Sequence, residues 1–278
     1  MSGRNLTGLP DLSGLKRLVA LTSGSLAAPQ LAPRPPMICN RREDGWELVY
    51  QNAHGLVAME LLRPWRPSER PARWGDVLYA AAQHDNGWQE WEPGDHLTAL
   101  GTPRHFEETT DADTVRQSEM ALGRVRNASL FAGLLLVEHF KTLYAATDAA
   151  GVQAMLARQR AEAAKARRVL GVRQAEVAAH YQFLHFADTF SLTLCLRRLD
   201  LLADRRVELE PVNGVRTFAL RRADDTIGVE PWPYAVDEFE VRTEAYRLPR
   251  LTYPSAAALS AAIAKARIEP RVWTIRQG

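Results

Sequence analysis

Histidine and aspartate residues interrupt several apolar stretches of this sequence. His84 and Asp85 stand together in QHDNGW, directly after the apolar run at residues 77–82. His54 lies in NAHGLVAMELL, and Asp188 lies in FLHFADTFSL. Charged and imidazole side chains are rarely buried unless they are paired or bind a metal. Imidazole nitrogens together with carboxylate oxygens suit Mn, Fe or Zn, and also Mg if water completes the coordination.

The pair His84-Asp85 falls where the helix that carries it is expected to end. Adjacent residues of an α-helix diverge by about 100° around its axis, so both side chains can reach one ion only at a helix end. Asn86 and Gly87 follow at once and would end the helix there. The alternative is a simple helix cap, with the imidazole near the last carbonyls and the carboxylate bonding loop amides. The ordered set of polar residues on separate predicted helices favours the metal site.

His139 and Lys141 are further candidates for a catalytic role. His139 ends the run LLLVEHF, where it either serves a metal site or is a core histidine bonded to the backbone. Lys141 follows two residues later and could face a phosphate, although exposed cations are common at helix ends. His185, one turn before Asp188, is expected to partner that carboxylate or to be exposed. The Trp-rich segment from Trp88 onward forms either a lid over the site or a loop packed on the helices.

The elements that must position these residues are mostly helical by pattern. A strand is predicted at residues 46–51, and helices are predicted from Asn52 and from about Trp74. Helical signals dominate from Asp111 to Arg205, where SLFAGLLLVEHFKTLYAA, apolar nearly all round, predicts a central helix. Beyond Arg205, stretches such as EFEVRTEAYRL and RVWTIRQ alternate like strands, with one helix at residues 255–267.

These patterns predict a mainly α protein in three parts. Residues 1–36 are expected to be a flexible, disordered leader, since they end in the linker-like APRPP. Residues 37–205 are predicted to form a helical bundle domain that carries the site. Residues 206–278 are predicted to form a small α+β annex, rich in strands, that packs on the bundle and covers the site or forms a dimer edge.

Composition narrows the classes of partner. The chain has 278 residues, 46% hydrophobic and 24% charged, and its net charge of +2 is too small to indicate nucleic acid. The Arg-rich stretch at residues 158–173 is therefore interpreted as a solvated helix face. Cys39 and Cys195 have no metal or redox spacing, which favours a reduced, cytoplasmic protein, and no apolar run approaches the ~20 residues that span a bilayer. A secreted protein is the minor alternative. A homodimer is also possible from the sequence. The sequence has no GxGxxG, P-loop or GxSxG motif, which argues against nucleotide-cofactor and α/β-hydrolase sites.

The chain from Met37 onward resembles a bacterial family, the domain of unknown function 3891. The matching stretches are MICNRREDGWELVYQNAHGLVAMELL, AAAQHDNGWQEWE, SLFAGLLLVEHFKTLY, FLHFADTFSLTLC and PWPYAVDEFEV. The order His…His-Asp…Asp, with the last Asp in Ala-Asp-Thr-Phe, also resembles the HD superfamily of metal-dependent phosphohydrolases. The HD resemblance implies an HD-like helical bundle.

The HD resemblance further implies that His54, His84, Asp85 and Asp188 bind a divalent metal (Mn, Fe, Zn or Mg). It implies attack of metal-activated water on a phosphate ester. We expect Asp85 to help orient that water. The sequence departs from that pattern, because His139 is the single histidine on a predicted helix between Asp85 and the helix of Asp188, and no Lys stands beside Asp85. The predicted function is a phosphohydrolase or phosphodiesterase acting on a small phosphorylated metabolite or nucleotide. The alternative is a non-catalytic ligand-binding or regulatory protein with a degenerate site.

Overall fold

The computed structural model describes residues 37–88, 96–202 and 204–278. The predicted leader at residues 1–36 lies outside the described residues, and so does most of the predicted Trp-rich loop, at residues 89–95.

Seven strands of the described residues form one mixed sheet. They are β1 (Met37–Arg41), β2 (Trp46–Tyr50), β3 (Arg206–Val212), β4 (Val215–Arg221), β5 (Ile227–Glu230), β6 (Glu238–Leu248) and β7 (Arg267–Gln277). Their order across the sheet is β1-β2-β6-β7-β5-β4-β3. Neighbouring strands are antiparallel except for β5 and β7, which are parallel.

Eight α-helices lie within the described part of the chain. They are α1 (Gln51–Leu62), α2 (Trp74–Gln83), α3 (Asp111–Ala128), α4 (Leu130–Leu143), α5 (Ala150–Leu170), α6 (Gln174–Cys195), α7 (Arg198–Leu201) and α8 (Ala256–Ala264). Short 3-10 turns occur at Pro67–Glu69 and Phe106–Glu108. Local chemistry sets several helix ends: Thr110 and Asp113 form a capping box at α3, and Gly171 ends α5 in the left-handed conformation.

The prediction of a mainly α, HD-like bundle with a small annex is wrong. The sheet is a principal layer of the fold, and it draws strands from both ends of the described chain. β2 pairs with β6, with Trp46 opposite Leu248 and Leu48 opposite Tyr246. Strand β1, which the sequence patterns did not predict, extends the sheet beyond β2. Pairing between segments about 200 residues apart leaves no local signal in the sequence, so the β-rich part was underestimated.

Alternating side chains of the sheet enter two separate cores. Val49 of β2 packs in the large core with helical residues such as Leu61 and Phe186. Its neighbour Leu48 points to the other face and packs in a smaller core with Leu259 of α8. This alternation is the ordinary period of a strand, and it shows that both faces of the sheet carry packed helices.

Four helices pack together in the large core, three of them each against the fourth, α6, and they position the predicted site residues. These helices are α1, α2, α4 and α6. The prediction of a central apolar helix is confirmed, because residues 131–140 of α4 are all buried. Helix α6 also packs against β3, so it connects the helical layer with the sheet. Among the described residues, no helix combines the length and the apolar character that crossing a membrane requires.

Candidate metal centre

The structure brings together five of the histidine and aspartate side chains that the sequence singled out. His54 comes from α1, His84 and Asp85 directly follow α2, His139 comes from α4, and Asp188 comes from α6. All are buried except Asp85, whose side chain is 14% exposed. Ligand atoms of His54, His84 and Asp85 lie within 4.8 Å of one another, and so do those of His84, His139 and Asp188.

A glycine sets the close approach of α1 to α2. A Cβ atom at Gly55 would lie 3.0 Å from the carbonyl oxygen of Ala82 and 3.3 Å from that of Ala81. The missing side chain lets the two helices pack tightly at the end of α2. As a result, the rings of His54 and His84 meet edge to face, with their centroids 4.8 Å apart.

The turn after α2 is pressed against α3 in the same way. Helix α2 ends at Gln83, so the pair His84-Asp85 lies just past the helix end, close to where the sequence predicted it. A Cβ atom at Gly87 would lie 1.9 Å from the carbonyl oxygen of Gln117, a distance that no side chain tolerates. Gly87 therefore allows the turn that carries Asp85 to sit directly on α3.

The hydrogen bonds of His84 fix which of its ring nitrogens carries the hydrogen. His84 Nδ1 lies 2.8 Å from the carbonyl oxygen of Ala81, which can only accept, so Nδ1 is the donor. His84 Nε2 lies 3.1 Å from Oδ1 of Asp188. In a neutral ring, Nε2 would then direct a lone pair at a carboxylate oxygen. The contact is favourable only if a cation, either a proton or a metal ion, lies between the two atoms.

His54 repeats this arrangement through Ser191. The Ser191 hydroxyl donates to the carbonyl oxygen of Asp188 at 2.9 Å, so its oxygen accepts from Nδ1 of His54 at 3.0 Å. His54 Nε2 lies 2.8 Å from Oδ2 of Asp85. In the neutral rings, the Nε2 lone pairs of both histidines would thus face two carboxylates in one buried cluster. Nδ1 of His84 bonds a carbonyl near the helix end, as the cap interpretation predicts. Nε2 is the nitrogen that the metal interpretation requires.

The electrostatics of the cluster favour a bound cation. Burial disfavours the imidazolium of His84, but the carboxylates of Asp85 and Asp188 outweigh it and raise the pKa of His84 to about 9. Burial likewise opposes ionisation of the two carboxyl groups, yet the neighbouring histidines hold the pKa of each below its usual value. Burial lowers the pKa of His139 to about 4, so its ring is neutral at physiological pH.

The spacing of the ligand atoms fits a first-row divalent ion. Such ions bind imidazole nitrogen and carboxylate oxygen at about 2.0–2.2 Å, so two ligands of one ion are separated by about 3.0 Å at right angles and about 4.2 Å when opposite. The separation is 2.8 Å between His54 Nε2 and Asp85 Oδ2, and 3.1 Å between His84 Nε2 and Asp188 Oδ1. Between His84 Nε2 and Asp85 Oδ2 it is 3.9 Å. The spacing of the His54, His84 and Asp85 ligand atoms therefore fits a metal ion, and Asp188 lies at ligand spacing from His84.

The cluster opens into a cleft of about 220 Å³. Asp85, His139 and Asp188 line one part of this cleft. The side chains of Trp88 and Phe106 are among those that line the remainder. No Lys or Arg among the described residues lines it. Glu107 lines it as well, so among the described lining residues an anionic group meets positive charge only at a cation held by the cluster.

The family model for a protein of unknown function, DUF3891, matches residues 37–250. The chain belongs to the DUF3891 family. The match spans every residue of the cluster and ends just after β6. The predicted resemblance to this family is thus confirmed. Comparisons with curated proteins and with solved structures find no match.

Two predicted residues of this DUF3891 chain lie away from the cluster. Lys141 forms an ion pair with Glu138, its side chain is 42% exposed, and it does not line the cleft. Its predicted contact with a phosphate therefore has no support in this arrangement. His185 lies 3.6 Å from Glu210 and stacks on Tyr181 instead of contacting Asp188.

The DUF3891 cleft also contains residues that sequence reasoning missed, namely Gln51, Gln117 and Tyr144. Gln51 lies one turn before His54 on the same helix face, so its sequence position alone indicates that it lies near the cluster. Gln117 stands four positions before Ala121 in the buried stripe of α3, so it is a polar residue at a core position. Tyr144 follows the last residue of α4 and offers no comparable signal.

Proposed function

We propose that this protein is a metal-dependent hydrolase in which His54, His84, Asp85 and Asp188 hold one divalent cation. The observation that carries the proposal is the contact between His84 Nε2 and Asp188, with the ring hydrogen already committed to Ala81. The order of these residues along the chain also resembles the metal ligands of HD phosphohydrolases. The sheet-based fold differs from that of a helical bundle, so the proposal rests on the cluster and not on the fold.

A bound divalent cation supplies two kinds of chemistry, since it lowers the pKa of a water molecule and polarises the oxygen of an ester. The chain supplies the orientation. Asp85 is the most exposed of the four ligands and lines the cleft, so its carboxylate can accept a hydrogen bond from the attacking water. His139 also lines the cleft, and its neutral ring can hydrogen-bond a substrate oxygen or receive a proton there.

A small phosphate ester is the substrate class that we propose. The cleft volume of about 220 Å³ suits a small molecule. Since the described lining contains no Lys or Arg, a phosphate group depends on the cation for its attraction. We therefore expect phosphate esters to bind the metal-loaded protein and not the metal-free protein.

Elemental analysis of the purified protein tests the metal site directly. The wild type is compared with His84→Gln and Asp188→Asn, and with His180→Gln as the matched control. His180 is also buried and lies on α6, but its Nδ1 bonds the carbonyl oxygen of Glu176 at 2.7 Å, outside the cluster. We expect near-stoichiometric metal in the wild type and the control, and none in the two site variants, with all four proteins folded by circular dichroism.

Turnover of a panel of small phosphate esters then tests the reaction. Metal-dependent hydrolysis that is lost in both site variants would support the proposal. Failure of the wild type to retain metal after incubation with Mn, Fe, Zn and Mg would refute it. Metal binding without turnover of any ester would instead favour a non-catalytic ligand-binding protein.

A further inference from the structure

Two carboxamide oxygens at the cleft have no hydrogen-bond partner among the described residues. Gln51 and Gln117 are each 1% exposed, and both line the cleft. Their Oε1 atoms are buried, and no partner for either lies among the described residues. Buried acceptors in native proteins are nearly always paired, because an unpaired one is destabilising. Two unpaired acceptors at one cleft are therefore available to hydrogen-bond donors that enter it.

The carboxamide of Gln117 is held in a fixed orientation. Its Nε2 donates to the hydroxyl of Tyr144 at 2.9 Å and to the hydroxyl of Ser118 at 3.2 Å. With both amide hydrogens engaged, the Oε1 atom remains as an acceptor only. The backbone of Gln117 also contacts the turn at Gly87, two residues from Asp85, so this acceptor belongs to the same end of the cleft as the cluster.

The neighbouring wall of the cleft contains three aromatic side chains, and Glu107 also lines the cleft. The aromatic side chains are Trp88, Phe106 and Tyr144. Burial raises the pKa of Tyr144 to about 12, so its hydroxyl stays neutral at physiological pH. Aromatic side chains bind flat apolar faces, while carboxamide oxygens accept from N–H and O–H groups. This combination matches a flat ring that carries hydrogen-bond donors.

We propose that Gln51 and Gln117 form a recognition subsite for a flat ring bearing N–H donors, the chemistry of an aromatic amide or an amino-substituted heterocycle. The proposed function places the hydrolysed group of the substrate at the cation, and the subsite then selects the ring attached to it. The inference rests on the proposed function for that placement, whereas binding of the ring depends only on the two glutamines and the aromatic wall.

A matched pair of small probes tests the subsite. Benzamide and methyl benzoate share a ring and a carbonyl group, but only benzamide carries N–H donors. Ligand-observed NMR titrations with the full chain should show benzamide binding about tenfold more tightly than methyl benzoate, the effect of one retained hydrogen bond. The preference should disappear in Gln51→Leu and in Gln117→Leu, which keep the side-chain volume and remove the acceptor.

The control is another buried glutamine. Gln159 of α5 also has an unpartnered carboxamide among the described residues, but it does not line the cleft, so Gln159→Leu should keep the preference. Gln117→Leu also removes the hydrogen bonds to Tyr144 and Ser118. If Gln117→Leu does not fold, Gln51→Leu alone tests the subsite. Equal binding of the two probes, or a preference that survives in both folded glutamine variants, would overturn the subsite.

Metal content measured on the same samples separates the two proposals. Metal-loaded wild type without a probe preference would overturn the subsite and leave the hydrolase proposal intact. A probe preference in wild type that retains no metal would overturn the hydrolase proposal and leave the subsite intact.

Discussion

Nδ1 of His84 lies 2.8 Å from the carbonyl oxygen of Ala81, in the last turn of α2. This contact satisfies a carbonyl at the helix end and leaves only Nε2 of the ring as a metal ligand. Both groups of ligand atoms in the cluster include His84. Because one nitrogen cannot serve two ions, the two groups are not two complete sites, and the ion that His84 binds is shared between them. We therefore expect about one metal equivalent per chain at saturation, measured by elemental analysis after dialysis.

Metal affinity is expected to rise with pH until about pH 9. Although burial opposes it, the neighbouring carboxylates raise the pKa of His84 in the metal-free protein to about 9. Below that value an incoming ion must displace the proton from Nε2, so the association constant should increase about tenfold per pH unit and then level off. Calorimetry near neutral pH, in buffers of different ionisation enthalpy, should show release of about one proton per ion. Binding without proton release would contradict this assignment of the His84 hydrogens.

Ser191→Ala is expected to weaken metal binding without removing a ligand. The Ser191 oxygen accepts from Nδ1 of His54 and so keeps the lone pair of Nε2 directed at the cluster. Loss of such a supporting contact typically lowers metal affinity about 10- to 100-fold. Thr193→Val is the matched control, because the Thr193 hydroxyl donates only to a carbonyl of its own helix, that of Thr189 at 2.8 Å. Equal metal affinities of the two variants would argue against this role of Ser191.

Gly87→Ala is expected to destabilise the protein and to disturb the cluster together. Its new methyl group would lie 1.9 Å from the Gln117 carbonyl oxygen, so the turn that carries Asp85 must move away from α3. We expect the free energy of unfolding to fall by about 1–3 kcal/mol, and metal content to fall with it. In Gly123→Ala, on the same helix α3, the new methyl group meets no neighbouring atom of the described residues within 4 Å, so the substitution should instead stabilise by about 0.5–1 kcal/mol. Urea denaturation and elemental analysis of both variants give the comparison, and normal metal content in Gly87→Ala would contradict it.

Stability of the metal-free protein is expected to fall as the pH drops below about 6.5. Burial lowers the folded-state pKa of His139 from 6.5 to about 4, so between these values the unfolded chain binds a proton that the folded chain does not. In His139→Gln, the free energy of unfolding, measured by urea denaturation at a series of pH values, should fall less steeply between pH 6.5 and pH 4. His84 has the opposite sign: its pKa is raised, so its contribution is full below pH 6.5 and is lost as the pH rises through about 9. An equally steep fall in His139→Gln would show that His139 is not the group responsible.

The clustering of the candidate residues was largely predictable because they are polar exceptions within strongly apolar helices. His139 is surrounded by the buried residues of α4, and Asp188 by those of α6, so each stands out against a regular pattern. What the sequence did not reveal was the pairing of residues distant along the chain. The tautomer of His84 depends on a backbone carbonyl and a carboxylate 104 residues away, which only the packed structure shows.

The sheet was underestimated for a related reason. The five residues of β1, MICNR, are too short to show a strand period, and they become a strand through their pairing with β2. The later strands were read correctly as strands, yet nothing local indicates that β6 adds to the hairpin of β1 and β2. Strand pairing is a property of two segments, and a single sequence presents each segment alone.

The position of β6 has a consequence for the order in which the protein matures on the ribosome. Helix α1, which carries His54, begins at the residue after β2 ends, and β2 gains its second neighbour in the sheet only when β6 has been synthesised. The helices that position His84, His139 and Asp188 are synthesised before β6, so they can pack with one another before β2 and β6 pair. Closing the long segment between β2 and β6 is the entropically demanding step, so we expect His54 to take its final place last. A nascent chain released after α7 would contain every residue of the cluster and still lack the strand that holds the hairpin before α1 in place.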